Sequence, residues 1–184
     1  KTRSLLSFKE AEQLVVMTDS LSKRYSLCGA RLGCLISKNK AVMECANKIA
    51  QARLSSPTIE QYAASFLDQV PESYFKAVNQ EYKKRRDTLV ASLKQIPGVK
   101  ASVPDGAFYL IAELPVENAE DFCQFMLEKF ADKQETVMMA PAEGFYITPG
   151  MGRNQVRIAY VLNSEAIKRA VELIGLGLKA YKKI

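Results

Sequence analysis

The stretch Asp19-Ser20-Leu21-Ser22-Lys23-Arg24-Tyr25-Ser26-Leu27-Cys28-Gly29-Ala30-Arg31-Leu32-Gly33 is the most informative part of this sequence. It lies between two apolar runs, 13–18 and 32–37, and each run predicts a buried strand. Ligands bind beyond the carboxyl ends of strands in open α/β sheets. The stretch therefore predicts a ligand-binding loop that the two strands flank.

The residue types in this loop suit one kind of cofactor. Lys23 supplies an amine, the nucleophile that forms a Schiff base with an aldehyde. Ser20, Ser22 and Arg31, with a glycine turn, are suited to hold a phosphate, although Ser22 is equally suited to shaping the turn. These residues together predict pyridoxal phosphate (PLP), whose aldehyde is bound by lysine and whose phosphate needs a separate clamp.

A second candidate site residue lies far downstream. Arg157 occupies an alternating segment, Val156-Arg157-Ile158-Ala159-Tyr160, that predicts a strand with a side-chain period of two. An arginine inside such a strand either faces solvent or is buried because it has a functional role. The residues alone leave both possibilities open.

The loop also matches a known pattern. Ser20-x-Ser22-Lys23, followed by Tyr25, Gly29-x-Arg31 and Gly33, resembles the cofactor-lysine signature of class I/II aminotransferases, which are PLP enzymes of fold type I. The segment 154–163 resembles the strand whose arginine binds the substrate α-carboxylate in that family. Two ordered motifs make the resemblance specific.

Further matches extend the resemblance over nearly the whole chain. Segments 56–61 and 106–109 follow the family order between the two motifs. The runs 138–146 and 156–163 are most similar to bacterial aspartate aminotransferases. The segment 146–153 resembles a mobile loop whose glycines permit movement when substrate is enclosed.

The resemblance implies a role for each site residue. Lys23 would bind PLP and move a proton between the substrate Cα and the cofactor, work that suits a buried amine near other cations. Ser20, Ser22 and Arg31 would bind the cofactor phosphate, and Arg157 would bind the substrate carboxylate. The implied reaction is transamination between an amino acid, aspartate, and a 2-oxo acid, 2-oxoglutarate.

The resemblance also implies an architecture of α/β and α+β parts. Residues 1–70 would be the C-terminal portion of the large PLP-binding domain, and 71–184 the bridging helix and small domain. Family members carry much more chain before the lysine, including most of the large-domain sheet and an aspartate for the pyridine nitrogen. We expect this chain to be a C-terminal half, inactive alone, of an enzyme that is a cytoplasmic homodimer.

Three alternatives stay open at this point. Relatives of this fold also run β-elimination and cyclisation on the same lysine and arginine. Related domains serve as non-catalytic, PLP-responsive regulators fused to DNA-binding segments. The chain could also be an inert fragment that retains the motifs of catalysis.

Composition excludes several other classes. The sequence contains no histidine, so Ser-His-Asp and Cys-His catalysis and histidine-containing zinc sites are absent from it. The net charge is +6, but the basic run Lys83-Lys84-Arg85-Arg86 covers every side of a helix, which favours a solvated helix over a nucleic-acid site. No apolar stretch approaches the length of a membrane span.

The sequence contains four cysteines without a Cys-x-x-Cys pair. Their apolar contexts predict buried free thiols in a reducing cytosol. The four are Cys28, Cys34, Cys45 and Cys123.

Overall fold

The computed structural model describes residues 3–182, and the chain divides into two compact units between Pro71 and Glu72. We call residues up to Pro71 unit 1 and residues from Glu72 unit 2. The predicted domain boundary, between residues 70 and 71, lies beside this division. The assignment of the two units to a large and a small domain stays a prediction.

Unit 1 contains one antiparallel pair of strands. Strand β1 (Val16–Ser20) pairs with β2 (Gly33–Ser37), from Val16 opposite Ser37 to Ser20 opposite Gly33. The prediction of two strands that flank the loop is therefore confirmed. The prediction that both are buried is wrong for this chain, because no residue between 3 and 71 is buried. A two-stranded sheet has two open edges and too little area to enclose a core.

Three helices complete unit 1. Helix α1 covers Leu21–Arg24, α2 covers Lys40–Ala52 and α3 covers Thr58–Ala64. The N-terminus of α2 is capped by Asn39, whose Oδ1 accepts the Val42 N–H at 3.2 Å. The segment between Pro57 and Pro71 predicts a helix over 58–70, but α3 is shorter, and a separate 3-10 turn follows it at Leu67–Gln69.

Unit 2 is an α+β arrangement around a four-stranded antiparallel sheet of order β3-β4-β6-β5. Its elements are α4 (Glu72–Leu93), β3 (Lys100–Ala101), β4 (Tyr109–Glu113), α5 (Ala119–Glu128), β5 (Ala140–Pro141), β6 (Gln155–Ala159) and α6 (Ser164–Tyr181). The sequence predicts strands over 99–103 and 136–140, but the edge strands β3 and β5 have only two residues each. Short edge strands limit unwanted pairing with other chains.

The core of unit 2 forms where one sheet face meets the helices. Leu110 and Val156 point to this face from the two central strands, as the period of two requires. Helical spacing directs a matching apolar stripe from each helix onto it. The helix residues in this core include Leu89, Leu93, Phe122, Met126, Ile167, Val171, Ile174 and Leu178.

The cysteines differ from their prediction in burial. All four are free, as expected, but only Cys123 is buried. Cys28, Cys34 and Cys45 belong to unit 1, which has no core of its own, and are exposed. The prediction of buried thiols is therefore wrong for three of the four.

Candidate functional site

The predicted ligand loop is closed at its base by the strand pair. Beyond the last paired residues, Ser20 and Gly33, the Leu21 N–H still donates to the Leu32 carbonyl at 3.2 Å. A Cβ on Gly33 would lie 2.8 Å from the Asp19 carbonyl oxygen. Only glycine permits this close approach of the two strands, so Gly33 fixes how the loop begins and ends.

The two loop serines lie together. The Ser20 hydroxyl caps α1 by accepting the Ser22 N–H at 3.1 Å, and it donates to the Ser22 hydroxyl oxygen at 3.0 Å. Ser20 also lines a cavity of about 490 Å³ within unit 1, whereas Ser22 lies outside it. Shaping the turn is therefore a role that both serines have in the structure.

Lys23 is part of α1, and its side chain is exposed. The burial that suits a catalytic amine is not present in this chain. Helix α1 packs against the 3-10 turn Cys28–Ala30, which directly precedes Arg31. The fold of the loop thus brings the lysine helix beside the segment that carries the arginine.

Arg31 has a left-handed backbone conformation, with φ of 50°. Its Nη1 donates to the Cys28 carbonyl at 2.9 Å, which folds the exposed side chain back over the turn. The guanidinium keeps further N–H groups that can donate to an anion. The residue is therefore held at the loop while its other donors remain available.

The donor set of this loop fits PLP in its chemistry. The hydroxyls of Ser20 and Ser22, within hydrogen-bond distance of each other, the Lys23 amine and the Arg31 guanidinium come from a single closed loop. A guanidinium and hydroxyls suit phosphate oxygens, and an amine suits an aldehyde. These are the groups that would have to hold the two ends of the cofactor.

Arg157 lies at the centre of the unit 2 sheet. It is opposite Ile111 of β4 and Ala140 of β5, and its side chain is half-buried. Its neighbours Val156 and Tyr160 are buried against the helices, so the alternation places Arg157 on the opposite face. The arginine thus lies on the sheet face away from the core.

Two aromatic rings contact the Arg157 guanidinium. Its Cζ atom is 4.5 Å from the centroid of the Tyr109 ring and 4.6 Å from that of Phe145. Such contacts orient a guanidinium by cation–π attraction and leave its edge free for hydrogen bonds. Within the range 3–182, no carboxylate forms an ion pair with Arg157. The arrangement can therefore accept a carboxylate from outside the chain.

Neither aromatic contact was singled out from the sequence. The signal for Tyr109 is the strand period, because β4 alternates and Tyr109 shares the outward face with Ile111. Phe145 follows the last paired residues of β5 in a 3-10 turn, and no periodic pattern predicts its position.

The segment predicted as a mobile loop contains a closely packed glycine. Gly152 has a φ of 76°, and a Cβ at this position would clash with the ring of Tyr146. The Tyr146 hydroxyl in turn donates to Gln155 Oε1 at 2.7 Å. Packing therefore accounts for Gly152, and mobility of the loop stays a prediction. Arg153, in the same segment, is exposed.

Neither a membrane-spanning helix nor a cluster of metal ligands occurs in the part of the chain that the structure describes. No helix in the described part of the chain is long and apolar enough to cross a membrane. No group of three or more potential metal ligands occurs among residues 3–182.

The elements of the two units define a mixed α/β protein. The family described as aminotransferase class I and II matches residues 2–174, and the chain belongs to this family. The family depends on PLP.

Individual relatives agree with this membership. The chain is 30% identical to a (5-formylfuran-3-yl)methyl phosphate transaminase of Methanocaldococcus jannaschii, over 95% of this chain and 45% of that protein. It is 29% identical to an aspartate aminotransferase of Pyrococcus horikoshii, over 95% of this chain and 44% of that protein. The chain thus spans less than half the length of these relatives.

A solved structure supports the fold. The aspartate aminotransferase of Thermotoga maritima superposes with a TM-score of 0.76 at 29% identity, covering 96% of this chain and 43% of that one. The predicted mixed α/β fold of an aminotransferase, present as part of a chain, is confirmed.

Proposed function

We propose that this chain carries the cofactor lysine and the carboxylate-binding arginine of a PLP-dependent aminotransferase. The proposed reaction transfers an amino group from aspartate to 2-oxoglutarate. Similarity to aspartate aminotransferases at 29–30% identity supports this substrate pair. In this proposal, residues 1–70 belong to the large cofactor-binding domain, and 71–184 form the bridging helix and the small domain.

The environment of Arg157 is the observation that carries the proposal. A half-buried guanidinium at the centre of a sheet, against two aromatic rings and without an ion pair in the described range, is poised to bind a carboxylate. Its planar fork can bind both carboxylate oxygens. Fixing the α-carboxylate in this way orients the substrate Cα–H bond for proton removal.

The loop of unit 1 would hold the cofactor. When bound, PLP supplies an aldehyde for covalent attachment and a ring that withdraws electrons from the substrate Cα. Lys23 Nζ would hold the aldehyde carbon and, once released, would move the proton at the substrate Cα. Arg31 and Ser20 would donate to phosphate oxygens, and Ser22 would support Ser20 through their hydrogen bond.

We also propose a homodimer for the whole enzyme. The segment Ser55-Ser56-Pro57-Thr58 resembles the family stretch that meets the neighbouring subunit, and the Gln61 side chain braces it by donating to the Ser56 carbonyl at 2.7 Å. Because the chain spans less than half of its relatives, we expect it to show little or no transaminase activity alone.

Covalent trapping tests the cofactor site. The chain is incubated with PLP, reduced with sodium borohydride and analysed by peptide mass mapping. We expect the adduct on Lys23 and its loss in Lys23→Ala, because the loop that carries this amine also carries the groups proposed to bind the phosphate. Lys40→Ala, which removes an exposed lysine at the start of α2, is the matched control and should keep the adduct.

Two results would contradict the assignment of Lys23. One is a set of adducts spread evenly over the surface lysines, and the other is an adduct that persists in Lys23→Ala. An Arg31→Ala variant refines the test, since loss of the phosphate clamp should reduce labelling of Lys23 while its amine remains. Rapid turnover of aspartate by the pure chain would overturn the expected inactivity.

A further inference from the structure

Two arginines of the basic run on α4, Arg85 and Arg86, each donate to a main-chain carbonyl far along the sequence, and the carbonyl that Arg85 binds lies just after β6. Arg85 Nη1 donates to the Val161 carbonyl at 2.6 Å, across 76 positions of sequence. Its Nε donates to Glu81 Oε1 at 2.7 Å, and its Cζ lies 5.4 Å from the centroid of the Tyr82 ring. Its side chain is only 21% exposed, so this residue is not a solvated surface cation.

The carbonyl that Arg85 binds lies just beyond the strand that contains Arg157. Strand β6 ends at Ala159, and Val161 follows it outside the sheet ladder. The residue before Val161 is also held in place, because the Tyr160 hydroxyl donates to the Ala107 carbonyl at 2.9 Å. The end of β6 is thus held by a side chain of α4 and by the segment before β4.

Two contacts on α4 itself restrict the orientation of the Arg85 guanidinium. The ion pair with Glu81 is one helical turn away on α4 and fixes the guanidinium plane, while Tyr82 contacts one side of it. Because the N–H groups of a guanidinium point in fixed directions within one plane, Nε can donate to the Glu81 carboxylate while Nη1 donates to the Val161 carbonyl. Because a lysine ammonium lacks this planar fork, we expect it to make a strong hydrogen bond with only one of these two acceptors.

We propose that Arg85 is a positioning residue, which fixes the end of β6 on α4 and so holds Arg157 in place to bind a carboxylate. This inference rests on the proposed function, in which Arg157 binds the substrate. The two residues are joined by four peptide units of one extended segment, so a displacement at Val161 is passed along the strand. Arg85 has no direct part in the chemistry.

The test uses this chain with selective ¹⁵N labelling of arginine side chains. The Nε–Hε resonance of Arg157, assigned by loss in Arg157→Lys, reports its position, and titration with 2-oxoglutarate reports its affinity for a carboxylate. In Arg85→Ala we expect the resonance to shift without ligand and the affinity to fall about fivefold to tenfold. Arg85→Lys, which keeps one of the two contacts, should give an intermediate value.

Arg169→Ala is the matched control. Arg169 of α6 is 26% exposed, pairs with carboxylates and also donates to a main-chain carbonyl, that of Asp132. Its hydrogen bonds and ion pairs go to Asp132, Glu135 and Glu172, none of which belongs to β6. We expect its loss to leave both the resonance and the affinity unchanged. Equal effects of Arg85→Ala and Arg169→Ala, or no effect of Arg85→Ala, would overturn the inference.

Failure of the proposed function has a different signature. In that case the wild-type chain shows no response at Arg157 to 2-oxoglutarate, while the ligand-free resonance still shows whether Arg85 positions Arg157. If Arg85→Ala does not fold, Arg85→Lys and Arg85→Gln provide the same two readouts. An unshifted resonance in both of these folded variants would also overturn the inference.

Discussion

Units 1 and 2 are built from similar elements but differ completely in burial. Every buried residue in the range 3–182 belongs to unit 2, where Leu93 and Phe122 are 0% exposed. In unit 1, Leu35 and Ile36 of β2 are 37% and 41% exposed, although they are equally apolar. Apolar sequence is therefore not enough for a core, which also needs a second layer to cover the first.

The strand patterns explain the difference. Strands β4 and β6 alternate, so that one face meets helices and the other carries polar groups such as Arg157. Strand β2 is apolar at consecutive positions, which is typical of strands covered on both faces. Among residues 3–71, neither face of the strand pair is covered well enough to bury a residue. The sequence of unit 1 is thus suited to a larger sheet than these residues form.

Leucine truncation in the two units should give the largest contrast. We expect Leu93→Ala to lower the free energy of unfolding by about 2–5 kcal/mol, because it opens a cavity in a closed core. Leu35→Ala should change it by less than about 0.5 kcal/mol, as is usual away from a core. Urea unfolding followed by circular dichroism measures both.

Each variant of this pair also serves as the control for the other, since the side-chain change is identical. A cost above about 2 kcal/mol for Leu35→Ala would show that unit 1 has a core of its own, and the comparison between the units would fail.

Sequence patterns predicted the elements better than their surroundings. Strands β1 and β2 were predicted from continuous apolar runs and β6 from its period of two, because these patterns are local properties of the sequence. Burial of β1 and β2 was not correctly predicted, since it depends on groups outside the strands. The lengths of the edge strands β3 and β5 were also not correctly predicted, because pairing and packing decide them.

The candidate site shows the same limit. The positions of Ser20, Lys23 and Arg31 in one loop followed from the sequence, because all three lie between two predicted strands. The Tyr109 contact to Arg157 depends on the pairing of β4 with β6, and the Phe145 contact depends on a turn that no periodic pattern predicts. The role of Arg85 was hidden for the same reason, within a run that favoured a solvated helix.

Helix caps offer a smaller test with matched chemistry. Asn163 Oδ1 accepts the Ala166 N–H at 2.9 Å at the start of α6, and Asn39 makes the equivalent bond in α2. We expect Asn163→Ala to cost about 1 kcal/mol in the unfolding of unit 2, which the cap stabilises. Asn39→Ala should leave that transition unchanged. Urea unfolding with hydrogen exchange of α6 amides measures the effect.

Aspartate is the control at both positions, because it retains the capping oxygen. Asn163→Asp should therefore remain close to the wild type in stability. Protection of α6 amides that decreases in Asn39→Ala as much as in Asn163→Ala would mean that the two units unfold together, contrary to the comparison.

The thiols provide the smallest effect on stability at neutral pH. Burial raises the pKa of Cys123 from 9.0 to about 11, whereas Cys28, Cys34 and Cys45 are exposed in unit 1. Because the thiolate is the reactive form, three thiols should react rapidly with a disulfide reagent at pH 8 and Cys123 slowly. Four equal rates would place Cys123 outside a closed core.

The same shift has a defined consequence for unfolding. The folded pKa of Cys123 is higher than the unfolded value, so its contribution to stability is complete below about pH 9 and is lost as the pH rises to about 11. Below pH 9, we expect the free energies of unfolding of the wild type and Cys123→Ala to differ by a constant amount. Above pH 9, we expect the wild type to lose stability relative to Cys123→Ala. Cys34→Ala, which removes an exposed thiol of unit 1, is the matched control. A pH-dependent difference for Cys34→Ala as large as that for Cys123→Ala would mean that β2 is buried in solution by something that covers unit 1.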